Sequence, residues 1–194
     1  MTIIANNCIG GSIYRDLKLP YQTPTVSVQI FPTQFPKFCS NLKYYMEQEL
    51  IQYPLVGFSE AYMKIRDDFF GKGNYLDKPY ALLGDILLCF QHDNSFAEAK
   101  AKWDRRKTRI DYKHLGFLFY VRYDKYRESA EEFARLQLPN SATLTQGFTL
   151  YNVPNCYRVD VDEGRMFLDW KNGKHYYEQS FDKMKFVNEV NDAT

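Results

Sequence analysis

Cysteine is sparse in this chain: four residues, Cys8, Cys39, Cys89 and Cys156, lie far apart and form no Cys-x-x-Cys pair. That spacing excludes a zinc knuckle and a thioredoxin-type motif, and it reads as a set of reduced thiols in a cytoplasmic protein. Long apolar runs are also missing. No stretch approaches the roughly 18 residues needed to cross a bilayer, and no basic segment leads into an apolar leader, so neither secretion nor a membrane span is expected. Charge of one sign is not in excess either. A net charge of +1 removes the broad basic footprint that nucleic acid or an anionic membrane would require, so an anionic partner must be met by a local cluster. Gly10-Gly11 completes neither a Gly-x-Gly-x-x-Gly fingerprint nor a P-loop, and no cofactor or metal is expected. There is no internal repeat, low-complexity tract or interdomain linker.

What is present suits one globular domain spanning 1–194. The 194 residues are 45% hydrophobic and 25% charged, ordinary values for a soluble fold with a single core. Aromatic residues reach 17%. Such rings build cores, and they also stack on sugars.

Periodicity outlines the architecture. Ile3 to Ala5 is a short apolar run followed by a turn, Asn6-Asn7-Cys8-Ile9-Gly10-Gly11-Ser12, and by Ile13, Tyr14 and Leu17 at helical spacing. Val26 to Phe31 reads as a strand, Thr33 to Leu50 as an amphipathic helix with Pro36 in its first turn, and Ser59 to Phe70 as a further helix. Ile86 to Phe90 is a buried strand. Ser95-Phe96-Ala97-Glu98 has the form of a capping box opening a helix to Ile110. Gly116 to Tyr123 is a strand, and Ser129-Ala130-Glu131-Glu132 repeats the capping signal before a helix ending near Leu138-Pro139. Thr143 to Leu150, Tyr157 to Val161 and Met166 to Trp170 read as short strands forming an antiparallel edge, and Phe181 to Val190 as a closing helix. The alternation predicts an α/β fold: a three-layer α/β/α domain with a mixed, substantially parallel sheet and a short β-rich C-terminal extension.

Cys8 falls where a strand end meets a helix start, the place where open α/β sheets bind ligands. A helix N-terminus favours the thiolate, the reactive form of cysteine, although buried cysteine is commonly just a small hydrophobe. Gly10 and Gly11 would let backbone approach a substrate or offer amide donors to an oxyanion. His92 follows a second strand and could take and return the thiol proton, with Asp93 orienting its ring; a helix-capping role is the plain alternative. In the next helix, Phe96, Ala99, Trp103, Arg106 and Ile110 share one stripe, so Arg106 needs a carboxylate, phosphate or carbonyl partner. Asp85 or another core acid would make it structural, and an anionic substrate would make it functional, flanked by Arg105 and Arg109. Asp160-Val161-Asp162 has the Asp-x-Asp form with which glycosyltransferases hold a divalent metal, but such triplets also arise by chance and no metal site is assigned.

Several segments together carry a family resemblance. Asn6-Asn7-Cys8-Ile9-Gly10-Gly11, Thr23-Pro24, Asn41-Leu42-Lys43-Tyr44-Tyr45, Phe90-Gln91-His92 and Ala101 through Ile110 resemble an uncharacterised bacterial family labelled exopolysaccharide biosynthesis protein, a domain of unknown function found among capsule and glycan genes. The resemblance implies a three-layer α/β/α domain acting on a saccharide or glycan precursor. A more distant similarity is to a bacterial family assigned as papain-like cysteine peptidases. It implies Cys8 as nucleophile, His92 as base and Arg106 as a substrate or structural clamp; the Asn or Asp that would orient the histidine is not assigned by the motif, Asp93 being the candidate, with Asn7 available as an amide donor. The resulting expectation is a possible thiol-dependent acyltransferase or hydrolase, with Asn6, Asn7, Gly10, Gly11, Trp103, Arg105, Arg106 and Arg109 binding substrate. The alternatives are a glycosyl- or phosphosugar transferase holding phosphate with Arg106 and the Gly10-Gly11 turn, and a nonenzymatic glycan-binding or assembly protein.

Overall fold

A computed structural model describes residues 1–53, 59–161, 170–171 and 174–193. In chain order the elements are β1 (Thr2–Ala5), α1 (Ile9–Asp16), β2 (Gln29–Ile30), α2 (Phe35–Ser40), α3 (Leu42–Glu47), β3 (Leu50–Gln52), α4 (Glu60–Phe70), β4 (Tyr80–Leu83) and β5 (Ile86–Cys89). They continue with α5 (Phe96–Lys107), β6 (Leu115–Val121), α6 (Arg127–Arg135), β7 (Ser141–Gln146), β8 (Cys156–Val159), β9 (Trp170–Lys171), β10 (Lys174–His175) and α7 (Lys183–Asp192).

The expected α/β architecture is present. Four strands form a parallel sheet in the order β1-β6-β7-β8, and a second, antiparallel sheet runs β2-β5-β4-β3. Alternation along the parallel strands feeds two cores. Ile3, Ala5, Leu118, Tyr120, Ala142 and Leu144 face α1 and α7, whereas Ile4, Phe117, Phe119 and Val121 face α2, α5, α6 and the antiparallel sheet. Burial on both faces explains why these strands read as continuous apolar runs. Each fully buried side chain of the Ile or Phe size contributes roughly 1.5–3 kcal/mol. The outer face of the antiparallel sheet, with Tyr80, Leu87 and Cys89, is covered by Tyr62, Ile65, Phe69 and Phe70 of α4.

The main departures from the sequence reading have local causes. Val26 to Phe31 yields only the two-residue β2, because Ser27 adopts φ 66° and interrupts the extended backbone. The long helix expected over Thr33 to Leu50 splits into α2 and α3 at Asn41, whose φ −128° and ψ 35° are not helical, and Leu50 begins β3. Ser129 does not cap a helix. A 3-10 turn at Asp124–Tyr126 starts α6 earlier and leaves Ser129 buried within it. Ser141–Gln146 and Cys156–Val159 extend the parallel sheet, and C-terminal antiparallel pairing is found at β9 and β10. Ser95 caps α5 as its sequence context predicts, accepting from Glu98 N, and Ser59 caps α4 by accepting from Tyr62 N. Most of the strand expected over Met166 to Trp170, together with Asp162 of the Asp-x-Asp triplet, lies outside the described residues.

Gly116 on β6 marks the closest approach of α7 to the sheet. A Cβ built there would lie 2.5 Å from Val190 Cγ2 and 2.8 Å from the Phe186 ring. Gly116→Ala should therefore lower stability by about 1–3 kcal/mol in a urea titration, through overpacking.

Candidate functional site

The turn after β1 is built by Asn6. Its side-chain amide donates to Tyr120 O at 3.0 Å and accepts from Tyr120 N at 2.9 Å, so a side chain continues the β1–β6 ladder by one peptide unit. Its own carbonyl accepts from Ile30 N at 2.8 Å and from Gln29 Nε2 at 3.1 Å, which joins the parallel sheet to the antiparallel one. Next, Asn7 Oδ1 accepts from Ile9 N at 3.0 Å, satisfying a donor at the start of α1 and placing Cys8 at the N-cap.

His92 reaches the same point from the loop after β5. Cys8 Sγ lies 3.3 Å from His92 Nε2, with the thiol half-buried and the imidazole exposed. The loop is tied to α5 by a chain of charged groups: Asp93 Oδ1 and Glu98 Oε1 each accept from Lys102 Nζ at 2.6 Å, and Glu98 Oε2 accepts from Asn94 N at 3.2 Å. These bonds hold the Glu98 carboxyl below its usual range and the Lys102 ammonium above its own. The pair sits in a cleft of about 260 Å³ at the carboxyl end of the parallel sheet. Asn7 lines it on one side, Tyr120 and Gln146 on the sheet edge, and Phe69, Phe70 and Tyr75 opposite.

The geometry sorts the remaining residues named from the sequence. Asp93 does not orient His92: its carboxylate is buried on Lys102, and among the described residues none bonds to His92 Nδ1. Asp93 fixes the loop instead. Asn6 is not available to substrate, because both ends of its amide are bonded to Tyr120. Gly10 and Gly11 serve close packing rather than anion contact, since a Cβ on either would lie 3.1 Å from Ala5 Cβ or Val26 Cγ1. Trp103 is 1% exposed and packs edge-on against Phe90 in the core. Arg106 donates to Val26 O at 3.2 Å and lies over the Tyr21 ring, and Arg109 donates to Tyr21 O at 3.3 Å. The two arginines pin residues 21–26 against α5, while Arg105 is exposed on the same helix. None of Trp103, Arg105, Arg106 and Arg109 lines the cleft. Asp85 pairs with Lys37 and accepts from Tyr45 Oη at 2.8 Å, and these bonds lower its carboxyl pKa.

The cleft residues absent from the sequence reading are Phe69, Phe70, Tyr75, Tyr120, Arg122, Tyr123 and Gln146. Only the strand-end position of Tyr120 and Arg122 carried a signal. The phenol of Tyr120 is pushed well up by burial and donates to Gln146 Oε1, leaving Gln146 Nε2 as a donor. A separate cluster, Asp16, His175 and Glu178, has ligand atoms within 4.8 Å of one another. Lys183 bridges its two carboxylates, at 3.1 Å from Asp16 and 3.0 Å from Glu178, so the group ties α1 to the C-terminal segment.

Cys39 and Cys89 are buried, whereas Cys8 and Cys156 are both half-buried. Desolvation raises the pKa of Cys39 and Cys156 and pushes that of Cys89 up to about 12. A raised thiol pKa keeps the unreactive protonated form through neutral and mildly alkaline pH. Iodoacetamide at pH 7 to 8.5 should therefore modify Cys8 alone in the native protein, as read by peptide mass spectrometry. All four thiols should react once the chain is unfolded.

An uncharacterized protein of Haemophilus influenzae is 27% identical to this chain over 201 residues, an alignment covering 97% of this chain and 84% of the relative. Residues 1–188, which include every element of the cleft, match the family described as Domain of unknown function (DUF1919), and the chain belongs to that family.

Proposed function

We propose that the protein is a thiol-dependent acyltransferase or hydrolase that acts on a glycan precursor in exopolysaccharide or capsule synthesis. The chemical part of this reading rests on one observation, the 3.3 Å approach of Cys8 Sγ to His92 Nε2 inside a cleft. A thiol in hydrogen-bond reach of an imidazole and at a helix N-cap is the arrangement that activates a nucleophile. The pathway part rests on the sequence resemblance described above.

In this mechanism His92 takes the Cys8 proton, and the thiolate attacks the acyl carbon. The tetrahedral oxyanion is met by the Asn7 amide, whose Oδ1 is committed to Ile9 N and whose Nδ2 is the donor end. Collapse expels an alcohol or amine, which receives the proton from His92, and leaves a thioester on Cys8. Water or a sugar hydroxyl then attacks that thioester, giving its proton back to His92 as the thiolate departs. The exposed imidazole can exchange protons with solvent between the two half-reactions. Arg106 donates to Val26 O and neither it nor the two glycines lines the cleft, which favours acyl transfer over a phosphosugar transfer that uses those residues as anion ligands.

The test uses p-nitrophenyl acetate. The wild-type chain should give a burst of nitrophenol and an acetyl group on Cys8, visible by intact-protein mass spectrometry. Cys8→Ala should give neither, and strains carrying it should stop making surface polysaccharide. Full polysaccharide production by that variant would sink the nucleophile. Asn7→Asp isolates the oxyanion donor, since it keeps the oxygen that accepts from Ile9 N but removes the N–H donors. Its acylation rate should fall about 10²–10³-fold while its thermal midpoint is unchanged or higher, because the helix N-terminus favours negative charge.

A further inference from the structure

The cleft around Cys8 has a one-sided charge. Among the described residues, Arg122 is the single side chain of permanent charge in its lining, and no Asp or Glu lines it. Arg122 directly follows β6, so its position at the carboxyl edge of the sheet is set by the same ladder that places Tyr120. Some other arginines are committed to carboxylates, as Arg66 is to Asp67, Arg127 to Asp124 and Arg158 to Asp160, and Arg106 and Arg109 donate to backbone carbonyls. Among the described residues Arg122 has no ion pair, and its guanidinium lies 5.3 Å from the centroid of the Tyr123 ring. A ring under one face orients the guanidinium while leaving its edge of N–H donors unspent, the arrangement suited to a bidentate oxyanion.

The wall opposite is aromatic. Phe70 and Tyr75 stack at 4.3 Å with their planes 25° apart, and Phe69 meets Tyr123 edge-on at 6.4 Å. Rings of this kind cover the flat face of an aromatic group or the apolar face of a sugar. A neutral, wholly apolar ligand would leave the exposed Arg122 to solvent, and a cationic one would meet no carboxylate among the described lining residues.

We infer that the ligand of the Cys8 cleft carries a carboxylate or phosphate held by Arg122, next to a ring held by the Phe70–Tyr75 wall. This assignment rests on the reading of that cleft as the substrate site, and it makes Arg122 the residue that selects anionic substrates. It differs from Arg106 and Arg109, which donate to the backbone carbonyls of Val26 and Tyr21.

Titration calorimetry on the full chain tests it with phenyl phosphate, phenylacetate and the neutral 2-phenylethanol. At least one anionic probe should bind saturably, and about tenfold or more tighter than the alcohol. Which anion binds distinguishes phosphate from carboxylate recognition. Arg122→Gln should weaken the anionic probe about tenfold and leave the alcohol within about twofold, with an unchanged thermal midpoint. Arg122→Lys, which keeps the charge without the fork, should fall between. Equal binding of the neutral probe, wild-type affinity in Arg122→Gln, or no binding of either anion would overturn the assignment. Cys8→Ala provides the separation from the catalytic proposal. Anion binding that persists in it, in a protein whose Cys8 is never acylated, would leave the anion site standing and remove the nucleophile. Acylation of Cys8 with unchanged affinity in Arg122→Gln would do the reverse.

Discussion

The pairing of the Asn6 side chain with the backbone of Tyr120 is the contact on which the rest of the cleft depends. An amide side chain has the same donor and acceptor as a peptide, so Asn6 can end a strand without leaving its neighbour unpaired. The polypeptide turns into α1 while the ladder continues through the side chain. Because the Asn6 carbonyl also serves Ile30 N and Gln29 Nε2, the two sheets meet at this residue. Cys8 stands two residues beyond it, and His92 arrives from the strand that pairs with β2. The thiol and the imidazole are brought together by backbone geometry fixed on both sides.

The layers around that point divide the work. Helices α1 and α7 close one face of the parallel sheet, and the ionic tie of Asp16, His175, Glu178 and Lys183 clamps the far end of α1 to the C-terminal segment. The other face holds the Phe-rich core, with Phe35, Phe119 and Phe133 in mutual contact. The antiparallel sheet carries α4 on its outer side, and α4 in turn presents Phe69 and Phe70 to the cleft. Much of the aromatic excess is thus core, and a small remainder becomes a ligand wall.

The Cys8 turn and the His92 loop were legible in the sequence because both stand at boundaries between an apolar run and a capped or helical segment. Those signals are local. Asn6 was legible as special but not as structural, since its partner is 114 residues away and no spacing rule reports it. Arg106 was correctly seen to need a partner, yet a backbone carbonyl leaves no mark in sequence. The wall residues Phe69 and Phe70 looked like the apolar stripe of a helix, which they also are. Arg122 was hidden for a further reason: a lone arginine after a strand is unremarkable until it is seen to line a cleft in which no carboxylate is found among the described residues. Short elements such as β2, β3 and β4 were blurred or missed because pairing, more than propensity, makes them strands.

The separation between Asn6 and Tyr120 also has a consequence for how the protein is made. As the chain emerges during synthesis, β1 and its thiol precede the strand that pairs with them, and Asn6 and Tyr120 are 114 residues apart. Contacts of such long range form slowly. Until β6 arrives, Ile3 to Ile9 is an apolar segment bearing an accessible sulfur and lacking the neighbours that define its chemistry. The Cys8 turn is thus translated well before β6 and organised only after it, so incomplete chains would carry the cysteine without the cleft.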